Sequence, residues 1–354
     1  MGPKEGVMIR IQRLVLGLLL VAGLLLAAAP GPAKPRNVIL LIGDGMGPGL
    51  VTAAGIRSGE PTHMERMSVT GLLRTAIADT LPLDSAAGGT ALATGVSVPN
   101  GRVSTDADGA ILPTILEKAQ AAGKATGLVT SGSLVQVPAA CFAAHVPNRS
   151  AKKEIAAQLL DSRLDLLLGG GRKHFPKTEG WRLLDGIEQV GTLARGRTLG
   201  FFERPEVDQP AEPGSYLTTS SLVQGALNFL APAKKGFFLV VVHDQIDQAG
   251  HKQLPEAGLQ QVLELDAAVG LCRRFAQESK DTLVVVSADH DTGNLTLESG
   301  VPSQRQVKFS YSTSRHTGNP VPVYAEGPGS SGFTGTYDQT ELPRRILRTA
   351  GLER

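Results

Sequence analysis

The chain has 354 residues, 42% of them hydrophobic, enough for one large core or two modest ones. Its formal net charge is +2, and the first 29 residues carry all of it, because Lys4, Arg10 and Arg13 outweigh Glu5. The remainder is near neutral and shows no dense basic patch, which excludes an electrostatic nucleic-acid surface.

Residues 1–29 have the form of a secretory signal peptide. Arg10 and Arg13 precede an apolar run, 14–29, that closes on Ala27-Ala28-Ala29. Met8 is a second candidate start. The alternative, an uncleaved anchor, fits less well: the run is short for a span and ends in small residues. Cleavage would leave a short tail, 30–36, and one domain, 37–354. The product would lie in a periplasm or outside the cell, with no membrane attachment. Cys141 and Cys272 could pair in such a compartment. Both stand among apolar neighbours, so a disulfide and two buried thiols remain equally open.

The elements follow in order. Residues 37–42 form a continuous apolar, β-branched run, the pattern of a strand buried on both faces. Gly43-Asp44-Gly45-Met46-Gly47 turns the chain sharply, and a helix covers 50–57. A strand at 70–77 delivers the chain to Asp84 and Ser85. The small residues that follow form a tightly packed helix with Ser85 near its start, where free N–H groups and the helix dipole favour an anion. The plainer reading of Asp84 or Ser85 is a helix cap.

A helix at 114–122 stops at Gly123. A strand follows at 125–130, a helix at 152–160, and a strand at 164–168 ended by Gly169-Gly170-Gly171. Residues 180–213 are mixed and Pro-bearing and read as surface structure. Then come a helix at 220–230, a strand at 237–242, a long helix at 256–277 and a strand at 282–286. Residues 301–314 look like a hairpin excursion. A strand at 321–325 and a helix at 339–352 close the chain. The alternation predicts an α/β fold with a mostly parallel sheet and helices on both faces.

Several of these strands end in Asp or His. Asp44 follows the first, Asp247 and His251 a later one, and Asp289 and His290 the next; His316 precedes the last strand. Open α/β sheets build their sites at such strand ends. Carboxylate and imidazole suit zinc. Asp247 and His251 share a face if their segment is helical. Singly, each is as readily a cap or a hydrogen-bonded structural residue. Together, the six ligands and Ser85 suit two metal ions sharing a substrate. Arg149 has the planar fork that grips two phosphate oxygens.

These residues resemble the alkaline phosphatase family over about 37–352. The matching pieces are NVILLIGDGMG (37–47), DSAAGGT (84–90), DLLLGGGRK (165–173), IDQAGH (246–251), ADH (288–290), HTG (316–318) and DQTEL (338–342). The resemblance implies a three-layer sandwich and an exported hydrolase of small phosphate monoesters. It implies Ser85 as a nucleophile that forms phosphoserine and Asp84 as the residue that places Arg149. Asp247, His251 and His316 would hold one zinc; Asp44, Asp289 and His290 would hold a second, which also takes the Ser85 oxygen. The two ions would activate nucleophile, leaving group and water.

The family's third, magnesium, site is not matched. Val137 and Val242 stand where oxygen ligands are expected, and valine cannot ligate magnesium. His243 or Asp244 would have to substitute. A phosphodiesterase or nucleotide pyrophosphatase on the same scaffold is one alternative, and an exported phosphate- or metal-binding protein without turnover is another. A homodimer is left open.

Overall fold

The computed structural model describes residues 34–75, 81–184, 186, 189, 196–209 and 214–353. The leader at 1–29 and the end of the 70–77 strand lie outside the described residues.

Strand β1 (Asn37–Gly43) is buried along its whole length because it is covered on both faces and paired on both edges. It runs parallel to β7 (Phe237–His243) on one side and β8 (Thr282–Ser287) on the other, with Leu41 opposite Val241 and Val286. Beyond β7 lie β3 (Ala125–Ser133), β4 (Leu166–Gly170), β6 (Thr198–Phe201) and β5 (Arg182–Leu184), all parallel. Beyond β8 lie β13 (Val321–Glu326), β2 (Val69–Arg74) and β14 (Gly335–Asp338). The ten-stranded order is β14-β2-β13-β8-β1-β7-β3-β4-β6-β5.

Only β13 runs against the rest. The chain leaves β8 at its C-terminal end and stays at that edge through His316. The next strand therefore has to run back down the sheet, and no crossover helix intervenes to turn it parallel.

The helices cover both faces. One group is α1 (Pro48–Ser58), α5 (Thr219–Leu230), α6 (Gln245–His251) and the long α7 (Pro255–Ser279), which packs on the other three. The other is α2 (Ser85–Thr94), α3 (Ile115–Ala121) and α8 (Glu341–Ala350). A further helix, α4 (Lys152–Asp161), follows Arg149.

The structure corrects four local expectations. Gly169 and Gly170 belong to β4 rather than ending it. The stretch 180–213 supplies β5 and β6, which extend the main sheet. The hairpin begins earlier than 301, pairing β10 (Leu295–Val301) with β11 (Gln306–Tyr311). The last helix begins at Glu341, and β14 precedes it. Cys141 and Cys272 are free, fully buried thiols, pushed up to about 12 by burial, and hence unreactive.

Helix α2 is held by packing more than by propensity. It carries two glycines, yet Ser85 through Ala93 are all buried. Gly88 lies against the strand-end loop after β8: a β-carbon there would stand 2.8 Å from the Asp289 carbonyl oxygen. Gly88→Ala in an ordinary helix stabilises by about 1 kcal/mol. Here overpacking costs about 1–3 kcal/mol, so the substitution is expected to lower the urea midpoint followed by circular dichroism. A raised midpoint would show that the helix is free to move away.

Candidate active site

All six predicted ligands converge at the C-terminal edge of β1, β7 and β8. They form two groups, Asp247 with His251 and His316, and Asp44 with Asp289 and His290. Within each group, ligand atoms lie within 4.8 Å of one another. Asp44 follows β1, and Asp289 and His290 follow β8. Residues 245–251 are helical, so Asp247 and His251 share a face of α6, as their spacing predicts. His316 begins the two-residue strand β12 (His316–Thr317), which pairs with β9 (Asp291–Thr292) just past His290. That pairing brings the His316 ring onto the His290 ring, stacked with centroids 3.6 Å apart.

Hydrogen bonds aim each imidazole. His316 Nδ1 donates to the Leu83 carbonyl at 2.7 Å, and His251 Nδ1 donates to the Ser314 carbonyl at 2.8 Å. Both rings therefore turn Nε2 inward. The two Nε2 atoms stand 3.0 Å apart, with Asp247 oxygens 3.3 and 3.4 Å away. Two facing lone pairs at that distance need a cation or a shared proton between them. Thr292 Oγ1 donates to Asp247 Oδ1 at 2.5 Å, so it accepts from His290 Nδ1 at 3.2 Å. His290 Nε2 is thereby left bare, 3.5 Å from Asp44 Oδ1 and 3.3 Å from Asp289 Oδ2.

The donor set fits metal ions. Asp44 Oδ1 and Asp289 Oδ2 are buried and have no hydrogen-bond partner. Such orphaned acceptors cost free energy unless a cation or proton meets them. Burial first, then Asp289 and Asp247, pushes Asp44 well above the usual carboxylate range. Burial and Asp247 push Asp289 up to about 7. Burial and the His316 charge push His290 down to about 3, so this ring is neutral. For Asp247, burial is outweighed by His251 and His316, which hold it well below the usual value; it in turn raises His251 to about 9. One side of the site thus carries charge that only protons or cations can offset.

Ser85 is the first residue of α2 and is buried, with Oγ donating to the bare His290 Nε2 at 3.1 Å. Asp84 serves both readings of its position. Its Oδ1 caps α2 by accepting from Ala87 N at 2.9 Å. Its Oδ2 accepts from Gly101 N and from Arg149, each at 3.0 Å. Arg149 is half-exposed and close enough to bear on His251 and His290.

The residues considered for a third ion are either apolar or already hydrogen-bonded. Val137 and Val242 are buried and apolar. Both His243 ring nitrogens are taken, Nδ1 by Thr219 Oγ1 at 2.8 Å and Nε2 by Gln261 Oε1 at 3.0 Å. Asp244 is bound to Ser131 Oγ at 2.9 Å and Gln248 Nε2 at 3.1 Å. Among the described residues, the two groups above are the only ones of three or more His, Cys, Asp or Glu side chains whose ligand atoms all lie within 4.8 Å of one another.

Sequence reasoning passed over Thr292, which touches both groups, and Gln339, whose Nε2 donates to the Asp289 carbonyl at 2.7 Å. Thr292 had a signal, lying two residues past His290. Gln339 lay within the DQTEL piece but was given no role.

Residues 35–304 match the family model described as alkaline phosphatase. The chain is 31% identical to streptomycin-6-phosphate phosphatase of Streptomyces griseus, covering 91% of this chain and 92% of that one. It is 30% identical to alkaline phosphatase of Escherichia coli, covering 91% and 87%. The fold matches alkaline phosphatase from the Antarctic bacterium TAB5 with a TM-score of 0.83 at 28% identity, over 91% of this chain and 100% of that one. A variant of that enzyme is described with magnesium in a site called M3. These matches show that the chain belongs to the alkaline phosphatase family of phosphoric monoester hydrolases.

Proposed function

We propose that this chain is an exported, zinc-dependent phosphatase that cleaves small phosphate monoesters through a phosphoserine on Ser85. One observation carries the reading: a buried hydroxyl at a helix start faces a bare imidazole nitrogen between two unpartnered carboxylate oxygens. The name of the Streptomyces griseus relative, which specifies a phosphorylated small molecule, is in keeping with it. Residues 1–29 would direct export. Among the described residues, no helix is long and apolar enough to cross a membrane.

Asp247, His251 and His316 would hold one cation, and Asp44, Asp289 and His290 the other. When bound, the cations supply positive charge beside the oxygens that gain charge as the phosphoryl group moves. The chain does the rest by position. Ser85 Oγ is fixed by the start of α2 and attacks phosphorus; the ester P–O bond breaks and the alcohol leaves. Water then attacks the phosphoserine, frees inorganic phosphate and regenerates Ser85. Arg149, anchored by Asp84, grips the non-bridging oxygens, and the unpaired N–H groups at the start of α2 face the same charge. That grip suits the extra negative oxygen of a monoester over a diester. The loose transition state of phosphoryl transfer is stabilised mainly by such placement.

Ser85→Ala is expected to lower kcat on p-nitrophenyl phosphate by at least about a thousandfold, while zinc content by atomic absorption stays normal. Ordinary turnover would remove Ser85 from its role. Arg149→Ala removes charge-assisted hydrogen bonds of about 1.5–3 kcal/mol, so kcat/KM should fall roughly ten- to a hundredfold. Chelation should lower the thermal midpoint as well as activity, and added zinc should restore both. Because Val137 and Val242 offer no ligand, magnesium added to zinc-loaded protein should change activity less than about twofold. A large saturable activation would reveal a third site.

A further inference from the structure

Four residues before Arg149, the chain is pinned from three directions at His145. Its backbone N–H donates to Gln158 Oε1 at 2.6 Å, and its carbonyl accepts from Gln158 Nε2 at 3.0 Å, so a side chain of α4 clamps it on both sides. The ring is 9% exposed, and both nitrogens have protein partners. Nδ1 lies 3.0 Å from the Ser104 carbonyl oxygen, and Nε2 lies 2.9 Å from Glu117 Oε1 on α3. A carbonyl only accepts, so Nδ1 carries a proton. Glu117 accepts from Thr114 N through its other oxygen, as the carboxylate of the α3 capping box. Nε2 therefore donates as well, and the ring is an imidazolium. Burial opposes that charge, but Glu117 and the Ser104 carbonyl outweigh it and raise the His145 pKa. Burial of Glu117 is likewise outweighed by His145 and Thr114, which lower it.

Ser104 links this histidine to the start of the site. It is buried at φ +44°, a conformation that residues other than glycine seldom adopt, so its neighbours must hold it there. Its N–H donates to Thr90 Oγ1 at 2.9 Å, and Thr90 lies on α2, five residues after Ser85. Its carbonyl accepts from His145 and from Leu112 N. One strained residue thus joins the helix that begins with Ser85 to the segment that leads to Arg149. From there the two segments run together. Val103 and Val146 exchange both backbone hydrogen bonds, at 3.0 and 2.9 Å, and Arg149 N donates to the Gly101 carbonyl at 2.8 Å. Asp84 meets them at that end, accepting from Gly101 N and from the Arg149 side chain.

We propose that His145 is a positioning residue for the phosphate grip: by donating to the Ser104 carbonyl, it fixes the segment bearing Arg149 against α2. A misplacement of about 1 Å at such a group can cost a hundredfold in rate. The inference rests on the phosphatase reading above, in which Arg149 holds phosphate oxygens, and the test separates the two.

Two substitutions divide the ring's bonds. The amide of His145→Asn can donate to the Ser104 carbonyl in place of Nδ1. That of His145→Gln can donate to Glu117 in place of Nε2 and gives up the Ser104 bond. Binding of inorganic phosphate is measured by calorimetry on protein verified as zinc-loaded by atomic absorption. His145→Gln is expected to weaken binding about five- to tenfold, near the upper end for one hydrogen bond, and His145→Asn by less than about twofold. Added to Arg149→Ala, His145→Gln should cost less than about twofold more, because a residue that acts through Arg149 then has nothing to position. Equal effects of the two substitutions, unaltered binding in His145→Gln, or a loss that persists in full without Arg149 would overturn the assignment. So would absence of phosphate binding by the unaltered chain, or a thermal midpoint that collapses in either variant. Hydrolysis of p-nitrophenyl phosphate by the unaltered chain tests the phosphatase reading separately. If turnover fails while the Arg149-dependent loss holds, only that reading falls.

Discussion

Asp44, Asp247 and Asp289 crowd the end of three adjacent strands, and Asp244 stands beside them. Two like charges about 4 Å apart repel by roughly 4 kcal/mol at an effective dielectric of 20. The neighbours that could offset this are histidines whose second nitrogens are already committed, and one of those rings is neutral. The carboxylates cannot all be ionised here unless cations enter. Much else at this edge follows from that constraint. Apolar strands bury the carboxylates, carbonyls of Leu83 and Ser314 turn imidazole nitrogens toward them, and glycines let a helix approach closely enough to present Ser85.

The close approach explains an otherwise poor helix. Two glycines weaken α2 as an isolated segment, yet they remove the β-carbons that would strike the Asp289 carbonyl and Pro138. The same placement puts the first turn of α2 against the loop that carries Asp289 and His290. Local propensity and global packing conflict at Gly88 and Gly89, and the conflict falls in the helix that begins with Ser85. Functional sites commonly break local rules in this way.

Much of this was legible in the sequence, for a physical reason. A parallel strand buried on both faces must be continuously apolar, so a polar residue can appear only where it ends. That made Asp44, Asp247 and Asp289 visible as strand-end residues, and the 3.6-residue period made Asp247 and His251 a pair. Strands β5 and β6 were not legible, being three and four residues long and set in a Pro-bearing stretch. Backbone carbonyls that orient His251 and His316 leave no trace in residue type. Asp84 could not be assigned to capping or anchoring, because a carboxylate has two oxygens and here each does one of these.

Thr292 shows how tightly the two clusters depend on each other. Its hydroxyl has one proton, and the negative charge of Asp247 claims it. The hydroxyl can then only accept, so His290 must carry its proton on Nδ1 and turn a lone pair toward Ser85. A charge in one cluster thereby sets the tautomer of an imidazole in the other. Loss of Asp247 would free the threonine proton to point at His290, which could then move its own proton to Nε2, between Asp44 and Asp289. The protonation of His290 is therefore tied to Asp247 by a single hydroxyl rather than by backbone rigidity alone.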